Sequence, residues 1–212
     1  MVLWLPAGYR AETELEVRRS RFITTLARVD TEDAARAVIA ETRQRYPDAR
    51  HHCSAFIVEV PDAQSVERSS DDGEPSGTAG MPMLDVLRGA GVAQAVAVVT
   101  RYFGGVLLGT GGLVRAYSDS VARALDAAGR VRPVVQTLYA VEVGHAEFGR
   151  LQADLLAAGL TVTDVAFAER ATLTVACPPD LDADVPAIVG RLTHGTAAAR
   201  PAGRAVAEEP TG

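Results

Sequence analysis

The chain has 212 residues, of which 48% are hydrophobic and 23% are charged, so it can bury a core and is not a disordered protein. The length allows one large or two small domains. A formal net charge of −6 excludes a protein coated with basic surface for nucleic acid, and any RNA contact must be local. All 21 basic residues are arginines, which excludes lysine Schiff-base chemistry and a Walker phosphate loop.

The first part of the chain alternates predicted strands with predicted helices. β-Branched and aromatic residues predict a strand at 20–27, and Thr31 is typical of the cap of a helix that ends near Arg45. A continuous apolar run at 93–100 predicts a strand that is buried on both faces. The remaining predicted elements are a strand at 53–60, a polar loop, and helices at 78–88 and 111–128.

The second part predicts strands at 138–143, 160–167, 171–177 and 196–202, with helices at 147–157 and 182–192. This βαββαβ order is that of a ferredoxin-like domain, a fold that hosts many functions. Pro133 is expected to end the preceding helix, and the net charge changes from −1 over residues 1–136 to −5 over 137–212. We therefore predict domains at 1–135 and 136–203, followed by a disordered tail at 204–212.

The acidic segment (residues 69–80) packs Asp71, Asp72 and Glu74 into four positions before small hydroxyl residues, Ser76 and Thr78. Three carboxylates could hold Mg²⁺ or Ca²⁺ together with waters. Alternatively, they cap backbone N–H groups or pair with arginines, as loops rich in Asp and Gly usually do. We favour the second interpretation and predict that at least one of them lies within salt-bridge reach of Arg101 or Arg115.

The glycine-rich segment (residues 101–112) opens a helix that carries Arg115 one turn in. Glycines allow positive φ and a close approach of the backbone to a ligand, and a helix start favours an anion. The segment fails the GxGxxG template at its last position. Both an anion or partner site and a purely structural role in turns and tight packing stay open.

The two cysteines, Cys53 and Cys177, do not form a CxxC pair, and we expect both to be reduced. His51 and Cys53 share one face of a strand while His52 points to the other, so Cys53 is predicted to be a small buried hydrophobe. No GxSxG or HExxH motif occurs. We predict no catalytic residue, no metal and no cofactor.

The N-terminus has no basic stretch before its short apolar run, and no apolar run reaches the length of a membrane span. These observations predict a cytoplasmic protein without a membrane contact. The sequence predicts no oligomeric state.

Five stretches, taken together, resemble the IMPACT/YigZ family: RRSRFI (18–23), ARHHCSA (49–55), SDDGEPSGTAG (70–80), VVTRYFGG (98–105) and LGTGGLVRAYS (108–118). The family usually has Asn where this chain has His52. The resemblance implies a two-domain α/β (α+β) protein. Its N-terminal domain would resemble the second domain of ribosomal protein S-five, and its C-terminal domain a ferredoxin-like domain of elongation factor G.

Eukaryotic members of the family regulate translation by binding a co-activator of a stress kinase, whereas bacterial members have no established biochemical activity. The resemblance therefore implies a non-enzymatic protein of translation control in the stress response, which contacts the ribosome, RNA or a translation-regulatory protein through its N-terminal domain. The alternative is an enzyme that uses the glycine-rich segment to bind a small molecule or nucleotide phosphate. The candidate binding residues are Asp71, Asp72, Glu74, Ser76, Thr78, Arg101, Tyr102, Gly104, Gly105, Gly109, Gly111, Gly112 and Arg115.

Overall fold

The computed structural model describes residues 2–60 and 63–211. In it, the chain folds into two compact units. One unit holds the residues up to 132 together with the last residues from 210, and the other holds residues 133–209. The sequence-based boundary after residue 135 lies close to this division. Among the described residues, no helix is both long and apolar enough to cross a membrane.

The N-terminal unit contains a five-stranded antiparallel sheet in the order β2-β3-β7-β4-β5. A short parallel pair, β1 with β6, lies beside it in the same unit. In chain order the elements are β1 (Leu3–Trp4), β2 (Arg10–Val17), β3 (Ser20–Arg28), α1 (Glu32–Arg45), β4 (His51–Val58), β5 (Val66–Ser70), α2 (Gly80–Gly89), β6 (Val92–Ala93), β7 (Ala95–Tyr102) and α3 (Gly109–Asp126).

The central strand β7 is buried on both faces, as its continuous apolar run predicts. Its residues 95–99 are fully buried. Ala95, Ala97 and Val99 belong to the core that the sheet forms with α2 and α3, whereas Val96 and Val98 belong to a second core beneath α1. The sheet is therefore covered on both sides, with one helix on one face and two helices on the other.

Helix α1 begins where the sequence predicts it. The Thr31 hydroxyl accepts a hydrogen bond from the backbone N–H of Ala34 at 3.1 Å. Acidic residues occupy the first turn, and Arg43 and Arg45 occupy the last, which places both signs of charge favourably along the helix dipole. The predicted cap and the predicted end at Arg45 are both confirmed.

Two strands of this sheet, β2 and β5, were not predicted, and a polar loop had been expected in place of β5. Both strands are edges of the sheet. Exposed residues alternate with half-buried ones along β2, and β5 ends on three exposed residues. Because an edge strand leaves one side to solvent, its polar composition resembles that of a loop.

The second unit has the ferredoxin-like arrangement, with strand order β11-β8-β10-β9 and two helices. Its elements are β8 (Val131–Val143), α4 (His145–Ala157), β9 (Thr161–Phe167), β10 (Ala171–Cys177), α5 (Val185–Leu192) after a 3₁₀ turn (Asp182–Asp184), and β11 (Ala199–Pro210). Apolar residues of the inner strands and both helices form its core, among them Val141, Leu155, Leu173, Val175 and Val189. The predicted βαββαβ order is confirmed.

The predicted disorder from residue 204 onward is wrong. Residues 204–210 belong to β11, which pairs with β8. This pairing satisfies the backbone groups along the side of β8 that β10 leaves open, which outweighs the polar character of the segment. Gly212 lies outside the described residues.

Candidate functional site

The fold brings the acidic and glycine-rich segments together in the N-terminal unit, because β7 and β4 are neighbours and β5 pairs with β4. Arg101, near the end of β7, donates from Nη1 to Glu74 Oε1 at 2.6 Å. Both side chains are less than one-tenth exposed. The prediction of a salt bridge between the two segments is confirmed. Because Arg101 is itself buried in this pair, we expect its replacement to reduce the stability of the protein.

A buried network extends from this ion pair into the core. The Tyr117 hydroxyl donates to Glu74 Oε1 at 2.8 Å, and the Cys53 thiol donates to the Tyr117 oxygen at 3.3 Å. Burial raises the pKa of the Tyr117 hydroxyl and raises the pKa of Cys53 to about 12. Cys53 is fully buried and stays protonated at neutral pH, so the prediction of a small buried hydrophobe is confirmed.

Asp71 holds the start of α2. Its Oδ1 accepts from the backbone N–H groups of Ala79 at 3.0 Å and Gly80 at 2.8 Å, and its Oδ2 accepts from Gly77 at 2.8 Å. Burial opposes ionisation of this carboxyl, but the three N–H donors outweigh it and lower its pKa. An anion at a helix start satisfies N–H groups that have no partner within the helix.

Asp72 fastens the acidic segment to the start of β4. Its Oδ2 accepts from the backbone N–H of His52 at 2.6 Å, and its Oδ1 accepts from Arg43. The Asp72 carbonyl lies 2.9 Å from His51 Nδ1. Because a carbonyl can only accept, Nδ1 carries the proton.

Capping and pairing therefore account for all three carboxylates of the acidic segment. Within the described ranges, no group of three or more His, Cys, Asp or Glu side chains is arranged to hold a metal ion. The other two candidates of the segment differ from each other. Ser76 is exposed, whereas Thr78 is buried and donates from its hydroxyl to the Pro75 carbonyl at 2.6 Å. Ser76 is thus the one of the pair that a partner could reach.

Gly104 is required for close packing. A Cβ built at this position would lie 2.1 Å from the Arg19 carbonyl carbon and 2.3 Å from the Ser20 nitrogen. The Gly104 N–H also donates to the Ser20 hydroxyl at 3.1 Å. The glycine-rich segment is therefore fixed against the turn that joins β2 to β3.

The other glycines divide into two groups. Gly105 and Gly109 have φ of +85° and +71°, a conformation that favours glycine. A Cβ at Gly112 would lie 3.1 Å from the Leu108 Cβ, and a Cβ at Gly111 would meet nothing within 4 Å. A structural role is thus evident at Gly104, Gly105 and Gly109 and absent at Gly111.

The last two candidates, Tyr102 and Arg115, differ in whether the side chain has a partner within the described part of the protein. The Tyr102 hydroxyl donates to Asp48 Oδ1 at 2.8 Å, and this hydrogen bond and partial burial raise the pKa of Tyr102, with burial the larger cause. Arg115 is exposed on α3 and has no ion-pair or hydrogen-bond partner in the described part of the chain. Arg115 is therefore the candidate arginine that is available to an external partner.

A cleft of about 620 Å³ lies at the start of β4 and the end of β7, within the N-terminal unit. It is lined by Asp48, Arg50, His51, Arg101, Tyr102, Phe103 and Leu107. Only Nη1 of the Arg101 guanidinium has an acceptor among the described residues, and its Nε is buried without one. Arg50 is exposed and unpaired within the same residues. The cleft thus offers arginine donors beside aromatic rings.

An apolar patch (Phe103, Val106 and Leu107) lies at this cleft and beside it. These side chains are 55%, 41% and 83% exposed. The Arg101 guanidinium lies over the Phe103 ring at 5.8 Å. The sequence pattern predicted neither the patch nor Arg50, because glycines and charged residues are the most unusual features of these segments. Large apolar residues next to the glycines of a loop were the available signal.

The fold is that of a two-unit α+β protein whose N-terminal unit presents arginines and apolar side chains around a glycine-rich loop. Residues 18–125 match the Impact N-terminal domain, and residues 141–196 match a domain of unknown function, DUF1949. The chain belongs to the IMPACT family, as its motifs predicted.

Individual relatives support this assignment. The chain is 44% identical over 153 residues to the IMPACT family member YigZ of Escherichia coli, covering 72% of this chain and 75% of that protein. It is 37% identical over 159 residues to YvyE of Bacillus subtilis, covering 75% and 72%. A solved crystal structure described as that of a hypothetical protein has 38% identity and a TM-score of 0.65, covering 94% of this chain and 97% of that one. The similarity to that structure extends through both units.

Proposed function

We propose that this chain is a non-enzymatic binding protein of translation control, and that its N-terminal unit contacts the ribosome, RNA or a translation-regulatory protein. Membership of the IMPACT family supports the link to translation. The single observation that carries the binding role is the apolar patch, because three neighbouring apolar side chains are exposed on a loop that is otherwise fixed in place. Exposed apolar clusters rimmed by polar residues mark interaction sites.

The chemistry of the neighbouring groups supports binding over catalysis. The Cys53 thiol is buried with a raised pKa, and Glu74 is buried in a pair with Arg101. A nucleophile or general base must instead be reachable and have a pKa suited to its task. The side chains that line the cleft include arginines and the aromatic rings of Tyr102 and Phe103, which are residue types enriched at protein interfaces.

The loop is preorganised for binding. The contact of Gly104 with the Arg19 and Ser20 backbone fixes one side of the patch, and the positive φ of Gly105 sets the direction of the chain beyond it. A loop that is already ordered loses little conformational entropy when a partner binds. Ordering of the loop therefore offsets little of the binding free energy that burial of the patch provides.

Between the three partner classes, the patch favours a protein surface, either of the ribosome or of a regulatory protein. Extended RNA binding requires many phosphate contacts, and the chain has a net charge of −6. Leu107 and Val106 offer no hydrogen bonds for a base edge or a phosphate. Binding to RNA is the alternative that the experiment must distinguish from binding to a protein.

The experiment places a photocrosslinking amino acid at position 107, where Leu107 is 83% exposed, and a matched one at position 156, where Leu156 is 67% exposed in the other unit. Both proteins are crosslinked in cell extract with intact ribosomes, with and without ribonuclease, and the partners are identified by mass spectrometry. We expect ribosomal proteins or translation factors at position 107 only. Identical partners at both positions would contradict the proposal, and loss of crosslinks with ribonuclease would assign the contact to RNA.

A further inference from the structure

A second cleft, of about 460 Å³, lies on the α1 face of the N-terminal sheet and shares no residue with the cleft at Arg101. Arginines and serines make up its polar lining, and no carboxylate lines it. The arginines come from α1 and β5, and the serines from β4 and β5: Arg36, Arg43, Arg68, Ser54, Ser69 and Ser70. We call it the arginine cleft.

Arg68 has no carboxylate partner among the described residues. Its Nη1 donates to the carbonyl of its neighbour Glu67 at 2.9 Å, and the carboxylate of Glu67 pairs with another arginine, Arg88. The positive charge of Arg68 is thus uncompensated by direct contact. An exposed guanidinium with free N–H groups is a ready donor to phosphate oxygens.

The two arginines of α1 retain free donors as well. Arg36 uses Nε and Nη2 on Glu32 Oε1, and Arg43 uses Nη2 on Asp72 Oδ1. The other guanidinium nitrogens of both residues have no acceptor in the described part of the chain. The two residues are seven positions apart, so they lie on one side of the helix about 10 Å from each other. This spacing lets them contact different groups of one ligand.

Ser54 supplies the observation that points to a ligand. Its side chain lines the cleft, yet the residue is only 5% exposed. Its hydroxyl has no hydrogen-bond partner among residues 2–60 and 63–211. Among the described residues, the fully buried side-chain N and O atoms that lack a partner belong to Thr100 and Arg101, so the Ser54 oxygen remains reachable from the cleft. A ligand oxygen in the cleft would provide that partner.

We propose that the arginine cleft binds a phosphate-bearing ligand, with Arg68, Arg43 and Arg36 donating to its oxygens and the Ser54 hydroxyl donating from the floor. Planar guanidinium groups bind phosphate through paired N–H donors, and the cleft has the volume of a small-molecule site. The phosphate can come from a free nucleotide or from a nucleotide of an RNA strand. This site is independent of the apolar patch, so it goes beyond the proposed function.

Binding is measured by titration calorimetry on the full chain with two probes, ATP and a short 5′-phosphorylated oligouridylate, without added divalent metal. We expect Arg68→Gln and Ser54→Ala each to weaken binding by about tenfold. The matched control is Arg123→Gln, which removes another exposed arginine of the same unit, on α3, that is unpaired within the described residues. This control should leave binding unchanged.

The pattern of binding identifies the source of the phosphate. Binding of ATP alone assigns a free nucleotide, and binding of the oligouridylate assigns an RNA strand. Absence of binding by both probes would overturn the proposal, as would equal weakening by Arg68→Gln and Arg123→Gln, which would indicate nonspecific charge attraction. Crosslinking from position 107 would be unaffected by either result, because the apolar patch contributes no residue to this cleft.

Discussion

The acidic and glycine-rich segments are both unusual in sequence, but they use their residues in opposite ways. In the acidic segment, the carboxylates are occupied by Arg101, Arg43 and the backbone at the start of α2. In the glycine-rich segment, the backbone is fixed at Gly104 while Phe103 and Leu107 remain exposed. Clustered charge is here a structural device, and the surface left for a partner is largely apolar.

The ion pair between Arg101 and Glu74 links the conformation of the glycine-rich segment to that of the acidic segment. Arg101 and Glu74 are both buried, and a buried pair is weak evidence for stability when it is whole but costly when one partner is lost. The exposed loop is thus held in place by an ion pair between two buried side chains. Substitutions in the buried ion pair should therefore reduce stability. Substitutions of the exposed side chains of the apolar patch should instead affect binding.

The largest effect is expected for Arg101→Ala. The variant leaves the Glu74 carboxylate buried without its cation, which should lower the free energy of unfolding by about 3–5 kcal/mol. Urea unfolding followed by circular dichroism measures the loss. The double variant Arg101→Met/Glu74→Gln should recover a substantial part because it removes both charges. A loss under about 1 kcal/mol for Arg101→Ala would show that the pair does not hold the segments together.

The next largest effect on the free energy of unfolding is expected at Gly104, and it distinguishes this glycine from Gly111 in the same segment. Gly104→Ala should cost about 1–3 kcal/mol, since the added Cβ would overlap the Arg19 backbone. Gly111→Ala is the matched control, because its Cβ would meet nothing within 4 Å and the position is helical. This control should gain about 0.5–1 kcal/mol. Equal effects at the two positions, measured by thermal unfolding, would contradict the assigned close packing.

A smaller, pH-dependent effect is expected at Asp71, whose folded-state pKa is lowered. A lowered pKa contributes stability that is complete above the unfolded-state value, about 3.9, and is lost as pH falls through the folded-state value. Asp71→Asn removes the second acceptor and should cost about 1 kcal/mol at pH 7. The difference from the original protein should narrow below about pH 4. A difference that stays constant down to pH 2 in urea titrations would show that ionisation of Asp71 is not involved.

Much of the fold could be predicted because local signals agreed with tertiary structure. The continuous apolar run predicted the buried strand β7, and the Thr31 cap predicted the start of α1. The edge strands β2 and β5 could not be recognised, since pairing on one side stabilises segments whose composition is polar. The same limit applies to β11, whose pairing with β8 depends on residues far away in the sequence.

The candidate site was predictable only in part. The pairing of Arg101 with an acidic residue follows from opposite charges on neighbouring elements. The cleft was not predictable, because Arg50 precedes β4 and Leu107 follows β7, and only the pairing of those two strands brings them together. Burial also separates Arg101 from Arg115, although both are arginines beside glycines. That difference determines which of them can be replaced without a large loss of stability.

The smallest change in stability is expected for Arg115→Ala, the counterpart of Arg101→Ala. Arg115 is exposed and has no partner among the described residues, so its removal should alter the free energy of unfolding by no more than about 0.5 kcal/mol. Under the proposed function, its loss should reduce the yield of crosslinks from position 107, because arginines at an interface donate to partner carboxylates and carbonyls. The two measurements together test the division between a structural and a binding arginine. If Arg115→Ala unfolds as readily as Arg101→Ala, Arg115 has a structural role. If the crosslinks are unchanged in a fully stable variant, the contact surface ends at the apolar patch and does not reach α3.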